Sequence, residues 1–182
     1  MSGAEDRNPI STNLANGLQF MFILKRAPSL TYHCTGVELP HATITPVAKN
    51  SPSLEVAFPG DHIIYSPIKV SFKVDENFQN YQEILNWMNG ISNPENDGQV
   101  YKQLDRTGNY SPYSIYSDVS IIQLDALNNP ILDWSFERVF PIGLEGPKFQ
   151  SNMEDVMFLE SSAVLKYTKF TIKRLILPSK ST

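Results

Sequence analysis

Between Ile68 and Val74 the chain alternates: Ile68, Val70, Phe72 and Val74 are apolar, while Lys69, Ser71 and Lys73 between them are polar. A period of two with one apolar side predicts a strand lying on a core with its other face wet. Directly afterwards, over Asp75–Gly90, the spacing turns helical. Phe78, Tyr81, Leu85 and Met88 form a stripe that Ile84 and Trp87 widen. Asp75 and Glu76 suit the positive end of that helix, Asn77 is placed to cap it, and Gly90 to take the left-handed position after its last turn. No other segment shows this period so clearly, so the chain is predicted to be mainly β with one helix.

The remaining segments read as strands, arms and loops. Met1–Gly17 is rich in Ser, Asn and Gly and aperiodic, a lead-in arm. Leu18–Lys25 is a short apolar run, read as a buried strand that ends before Pro28, and Leu30–Val37 is read as its antiparallel partner. Prolines at 40, 46, 52 and 59 then punctuate Leu39–Gly60. Each removes a backbone donor, which predicts an irregular excursion with at most a short edge strand at Leu54–Phe58. Ser92–Ser117 is polar and turn-rich, a long surface loop. Val119–Asp125 and Leu132–Phe136 make a hairpin around Asn128-Asn129-Pro130. Phe140–Lys148, broken by Pro and Gly, is read as a connection or bulged edge. Val156–Leu159 and Ala163–Leu175 are the last strands, the second slipping phase near Thr168, which predicts a bulge or the end of the core strand. Together these predict an antiparallel β-sandwich or partly closed barrel carrying one helix.

The 182 residues hold 15 Lys and Arg against 19 Asp and Glu, a net charge of −4. That balance provides no global basic footprint for nucleic acid or an anionic membrane. The single cysteine, Cys34, excludes an internal disulfide and a Cys-clustered zinc site. The longest fully apolar run, Phe20–Leu24, is far short of the roughly 18 residues of a membrane span. The start of the chain has no apolar stretch resembling a signal peptide. A soluble protein of a reducing compartment is expected.

Motifs for catalysis are missing. His33, His41 and His62 show no metal-ligand spacing, which favours ordinary surface or strand histidines. Asp61-His62, after Pro59-Gly60, reads as a turn rather than a catalytic dyad. Cys34 is better read as a small buried hydrophobe than as a thiolate, because His33 beside it in a strand would point to the other face. Glu154/Asp155 and Asp75/Glu76 read as solvated turn or helix-start charges rather than acid–base pairs. No phosphate-cradling glycine loop or nucleophile elbow is present. Accordingly no catalytic, cofactor-binding or metal-binding residue is assigned, no cofactor is expected, and the chain is not expected to be an enzyme. Lys166, Tyr167, Lys169, Phe170, Lys173 and Arg174 interleave base and aromatic, a pattern that single-strand binders use but that an outer strand also produces by alternation. The length given to arms and loops points instead to assembly.

Four segments carry a resemblance. They are His33-Cys34-Thr35-Gly36-Val37-Glu38-Leu39-Pro40, Phe58-Pro59-Gly60-Asp61, Tyr65 to Asn77, and Asn80-Tyr81 to Trp87-Met88. With Phe136 and Phe140-Pro141-Ile142-Gly143-Leu144, they make Leu18–Ile172 resemble the tail tube proteins of contractile-tailed bacteriophages, relatives of the tube proteins of type VI secretion systems. The resemblance implies a virion structural protein of the phage tail, assembled in the host cytoplasm. Six copies would form a ring, and rings would stack into a hollow tube that conducts the genome during ejection. Edge strands of neighbouring subunits would join into one inner barrel. Tail sheath and baseplate proteins would be its partners, with no membrane, and DNA would pass the lumen without specific binding.

On this reading the arm 1–17, the excursion 39–60 and the loop 92–117 contact neighbouring subunits, and 18–172 is the tail-tube-like domain. The tail 173–182 extends beyond the pattern of simple tube subunits and fits a second possibility, a baseplate tube-initiator with the same fold. A β-domain binding a ligand or single-stranded nucleic acid is the third.

Overall fold

The computed structural model describes residues 17–51, 54–92, 115–149 and 158–175. In chain order the elements are β1 (Phe20–Leu24), α1 (Pro28–His33), β2 (Cys34–Glu38), β3 (Ala42–Ile44), β4 (Val47–Ser51), β5 (Leu54–Phe58), β6 (Ile63–Tyr65) and β7 (Ile68–Lys73). They continue with α2 (Gln79–Ser92), β8 (Ser117–Leu124), β9 (Pro130–Leu144), β10 (Glu160–Lys166) and β11 (Lys169–Arg174). The predicted class holds: an antiparallel sandwich whose sheet does not close into a barrel.

Strand β9 organises the sandwich. Its first part pairs with β8 on one side and β11 on the other, and from Phe140 to Leu144 it pairs with β10. The hydrogen-bonded path runs β1-β8-β9-β10-β7-β2, with β11 beside β9. One sheet is therefore β1-β8-β9-β11 and the other β9-β10-β7-β2, and β9 passes from the first to the second. It turns at Arg138, whose φ of 54° lies in the left-handed region. Within the second sheet Leu165 pairs with Pro141 and Val164 with Gly143, so Ile142 is an extra residue, a bulge. Phe140–Leu144 is thus the bulged edge, one of the two alternatives expected, and 145–148 is the connection that follows it.

The apolar residues of β1, β7, β8 and β10, and those in the middle of β9, face inward. Phe22, Leu24, Val119 and Phe136 from the first sheet meet Val70, Phe72 and Leu165 from the second. The phase slip near Thr168 is the corner between β10 and β11, where the chain crosses from one sheet to the other. The hairpin turn between β8 and β9 is built on Asp125. Its Oδ1 accepts the backbone N–H groups of Leu127 and Asn129, both at 2.8 Å, and its Oδ2 accepts the Asn129 amide at 3.1 Å.

Three expectations are corrected by the helices. Pro28 does not merely follow a strand: it starts α1, because the missing N–H of proline costs nothing in a first turn and its φ is already helical. Leu30–His33 is therefore helix, not strand, and Leu30 is buried. The pairing expected between the first two strands does not form: β1 pairs with β8 and β2 with β7. In α2, Gly90 is inside the helix, two residues before its end at Ser92.

The buried stripe of α2 is Asn80, Ile84, Trp87 and Gly90, rotated from the predicted one, and Leu85 is exposed. Asn80 is a buried amide with a structural task. Its Nδ2 donates to the Lys73 carbonyl at 2.8 Å, and its Oδ1 accepts the Tyr81 N–H at 2.8 Å, which ties the end of β7 to the start of α2. Asp75, not Asn77, accepts the Gln79 N–H, at 2.7 Å. Trp87 is buried under the sandwich, its Nε1 donating to the Ile115 carbonyl at 3.0 Å, with the Arg26 guanidinium 5.2 Å from its ring.

Two measurements check this account. Replacing Trp87 by Ala removes a buried ring and one satisfied hydrogen bond, and is expected to cost about 3–5 kcal/mol in denaturant unfolding. The Asn129 backbone and side-chain donors, then the Leu127 N–H, hold the Asp125 carboxyl below its ordinary value of 3.8. A depressed carboxyl stabilises the fold above its unfolded pKa and ceases to do so as the pH falls through the folded one. The Leu127 and Asn129 amides are therefore expected to stay protected from exchange at pH 5 and above, losing protection only at pH values under the ordinary Asp range.

Candidate assembly surfaces

The residues examined for chemistry do not converge. His33 ends α1 with its Nδ1 3.0 Å from the Ser29 carbonyl, and His41 lies at the base of the β3–β6 ribbon, its N–H donating to Ser66 Oγ at 3.0 Å. Asp61 and His62 form an exposed pair, 3.1 Å apart, in the bend between β5 and β6. Cys34 is half-buried, and burial raises its thiol pKa to about 11, against a smaller lowering by the Gly36 backbone. Among the described residues no three His, Cys, Asp or Glu side chains form a metal-binding group. Glu154/Asp155 lie outside the described residues, as do the arm up to residue 16, most of the 92–117 loop, half of Val156–Leu159 and the tail from residue 176, while Phe158 and Leu159, expected in a strand, precede β10 without being part of one. No described helix is long and apolar enough to cross a membrane.

The basic–aromatic stripe is divided by the sandwich. Tyr167 is buried, and Phe170 stacks on Phe136 at 5.6 Å and on Trp134 at 6.2 Å, so these rings belong to the core. Lys169 and Lys173 alternate to the opposite face of β11. The stripe is strand alternation, and its rings present no stacking platform for bases.

What the molecule offers instead is unpaired edge and exposed apolar surface. Among the described residues β1, β2 and β11 each pair on one side only; β1 and β2 are the two ends of the six-strand path, and β11 is the far edge of the first sheet. Between β1 and β2 opens a cleft of about 380 Å³, lined by Gly17, Phe20, Val37, Leu39, Ile121 and Trp134. An edge with free N–H and C=O groups is a template for a strand from another chain.

The Pro-punctuated excursion is far more ordered than its sequence predicts. It is a two-stage ribbon: β3 pairs with β6 from Ala42↔Tyr65 to Ile44↔Ile63, and β4 pairs with β5 from Val47↔Phe58 to Ser51↔Leu54. Pro46 and Pro59 fall at the joint between the stages, where the ladder is already interrupted and a missing N–H breaks nothing. Gly60 packs at this joint against the Thr45 carbonyl, where a Cβ would overlap that oxygen. The ribbon exposes Ile44, Phe58 and Ile63, together with Val47 at 60% and Ile64 at 59% of full accessibility. It is anchored by Tyr167, whose hydroxyl donates to the Ser66 carbonyl at 3.1 Å, and by Tyr65, edge-on to Phe170 at 5.1 Å. Ile63 and Ile64 are neighbours on β6 and point to opposite faces, so the ribbon carries exposed apolar side chains on both faces.

The described residues thus form an open antiparallel sandwich with free edges and a projecting ribbon that exposes apolar side chains. The family model described as phage tail tube protein matches residues 10–173. The chain belongs to the phage tail tube family, and is a structural tube protein rather than an enzyme.

Among solved structures, it is similar to the tube-terminating cap of the anti-feeding prophage at 14% identity and TM-score 0.62, covering 96% of this chain and all of that one. It is also similar to a chain of the sheath–tube complex of the PVC extracellular contractile injection system, in the extended state, at 13% identity and TM-score 0.58, again over 96% of this chain. A chain of the anti-feeding prophage baseplate aligns at 10% identity and TM-score 0.53, over 90% of this chain. No curated protein sequence matches.

The half-buried thiol gives a check on the chemistry. Its raised pKa leaves little thiolate near neutrality, so iodoacetamide is expected to modify Cys34 in the folded chain about a hundredfold more slowly at pH 8 than it does a free thiol of ordinary pKa. Modification is expected to accelerate up to pH 11.

Proposed function

We propose that the chain is the repeating subunit of a phage tail tube: six copies close into a ring, and rings stack into the hollow conduit through which the genome leaves the capsid. The observation that carries this reading is the unclosed sheet. Edges β1 and β2 expose strand backbone at the two ends of one path, so each copy can extend the sheet of the next. Repetition around an axis turns six open sheets into one closed inner wall without free edges.

The enzymatic emptiness follows from the task. A conduit must let DNA slide, and a net charge of −4 disfavours the phosphate contacts that would hold it. The arm 1–17 and the loop 92–117 are proposed as further contacts between copies, and the sheath and baseplate as partners outside and below the tube. The particle is proposed to be a phage virion tail. A baseplate tube-initiator with the same core differs in copy number, occupying one or two rings rather than the length of the tail.

Negative-stain microscopy and mass photometry of the purified full chain, over a range of concentrations, test the reading. Hollow rings and tubes are expected. Deleting residues 1–17 is expected to leave the melting temperature unchanged while preventing ring closure or stacking. Long tubes from the deleted chain would remove the arm from the assembly contacts, and a chain that stays monomeric alone and with isolated baseplates would overturn the subunit reading.

A further inference from the structure

We draw no further inference here: the strongest candidate, the cleft between the free edges of β1 and β2 lined by Phe20, Val37 and Trp134, is an unpartnered apolar face whose rim at Gly17 borders residues outside the described ones, and nothing in the structure shows what covers it.

Discussion

Strand β9 belongs to both sheets, and the packing of Phe136 near its middle is the contact on which the structure depends. Phe136 is buried, stacked on Phe170 at 5.6 Å and meeting Tyr167 edge-on at 5.0 Å. Those two rings come from the corner where the chain crosses from β10 to β11. Two residues after Phe136, Arg138 takes a left-handed φ and β9 turns into the second sheet. A fifteen-residue strand that changes partners in this way wraps the sheets round one core, yet leaves β1 and β2 as unjoined edges. The openness of the subunit is a consequence of how β9 bends.

That geometry separates stability from assembly. Core side chains, the buried Asn80 amide and the Trp87 indole hold the sandwich and its helix together. The free edges and the ribbon lie outside that core. A protein whose work is to join copies of itself needs this division, since exposed apolar residues are tolerated only where a partner covers them. The ribbon shows how it is achieved: its prolines sit at the joint between ladders, so an exposed hairpin keeps its pairing while the chain changes direction.

The sequence made some of this legible and concealed the rest for identifiable reasons. The alternation of Ile68–Val74 is read correctly because one wet face imposes a strict period. The Asp125–Asn129 hairpin is read correctly because its turn is built from local side-chain hydrogen bonds. Pro28 misleads because proline both ends strands and starts helices, and only the packing of Leu30 decides between them. The helix stripe is misjudged by part of a turn because Asn80, polar by composition, is buried, its amide satisfied by Lys73 and Tyr81. The resemblance in the His33–Pro40, Phe58–Asp61 and Tyr65–Asn77 segments reaches the family that the comparison with known proteins shows. The same reading expects the excursion 39–60, which holds Phe58–Asp61, among the contacts between copies, but not that it is a paired ribbon.

By itself, then, the sequence determined what depends on near neighbours along the chain: the β class, the main helix, the lack of catalytic motifs and the family. Period, turn chemistry and motif spacing are local properties, and local sequence carries them. Tertiary structure alone decided what depends on residues far apart in the chain. It paired β2 with β7, made a ribbon of the proline-rich excursion, and turned Tyr167 and Phe170 inward. Those placements follow from the bend in β9 and the corner after Lys166, where the path of the chain, not its composition, sets which surfaces meet.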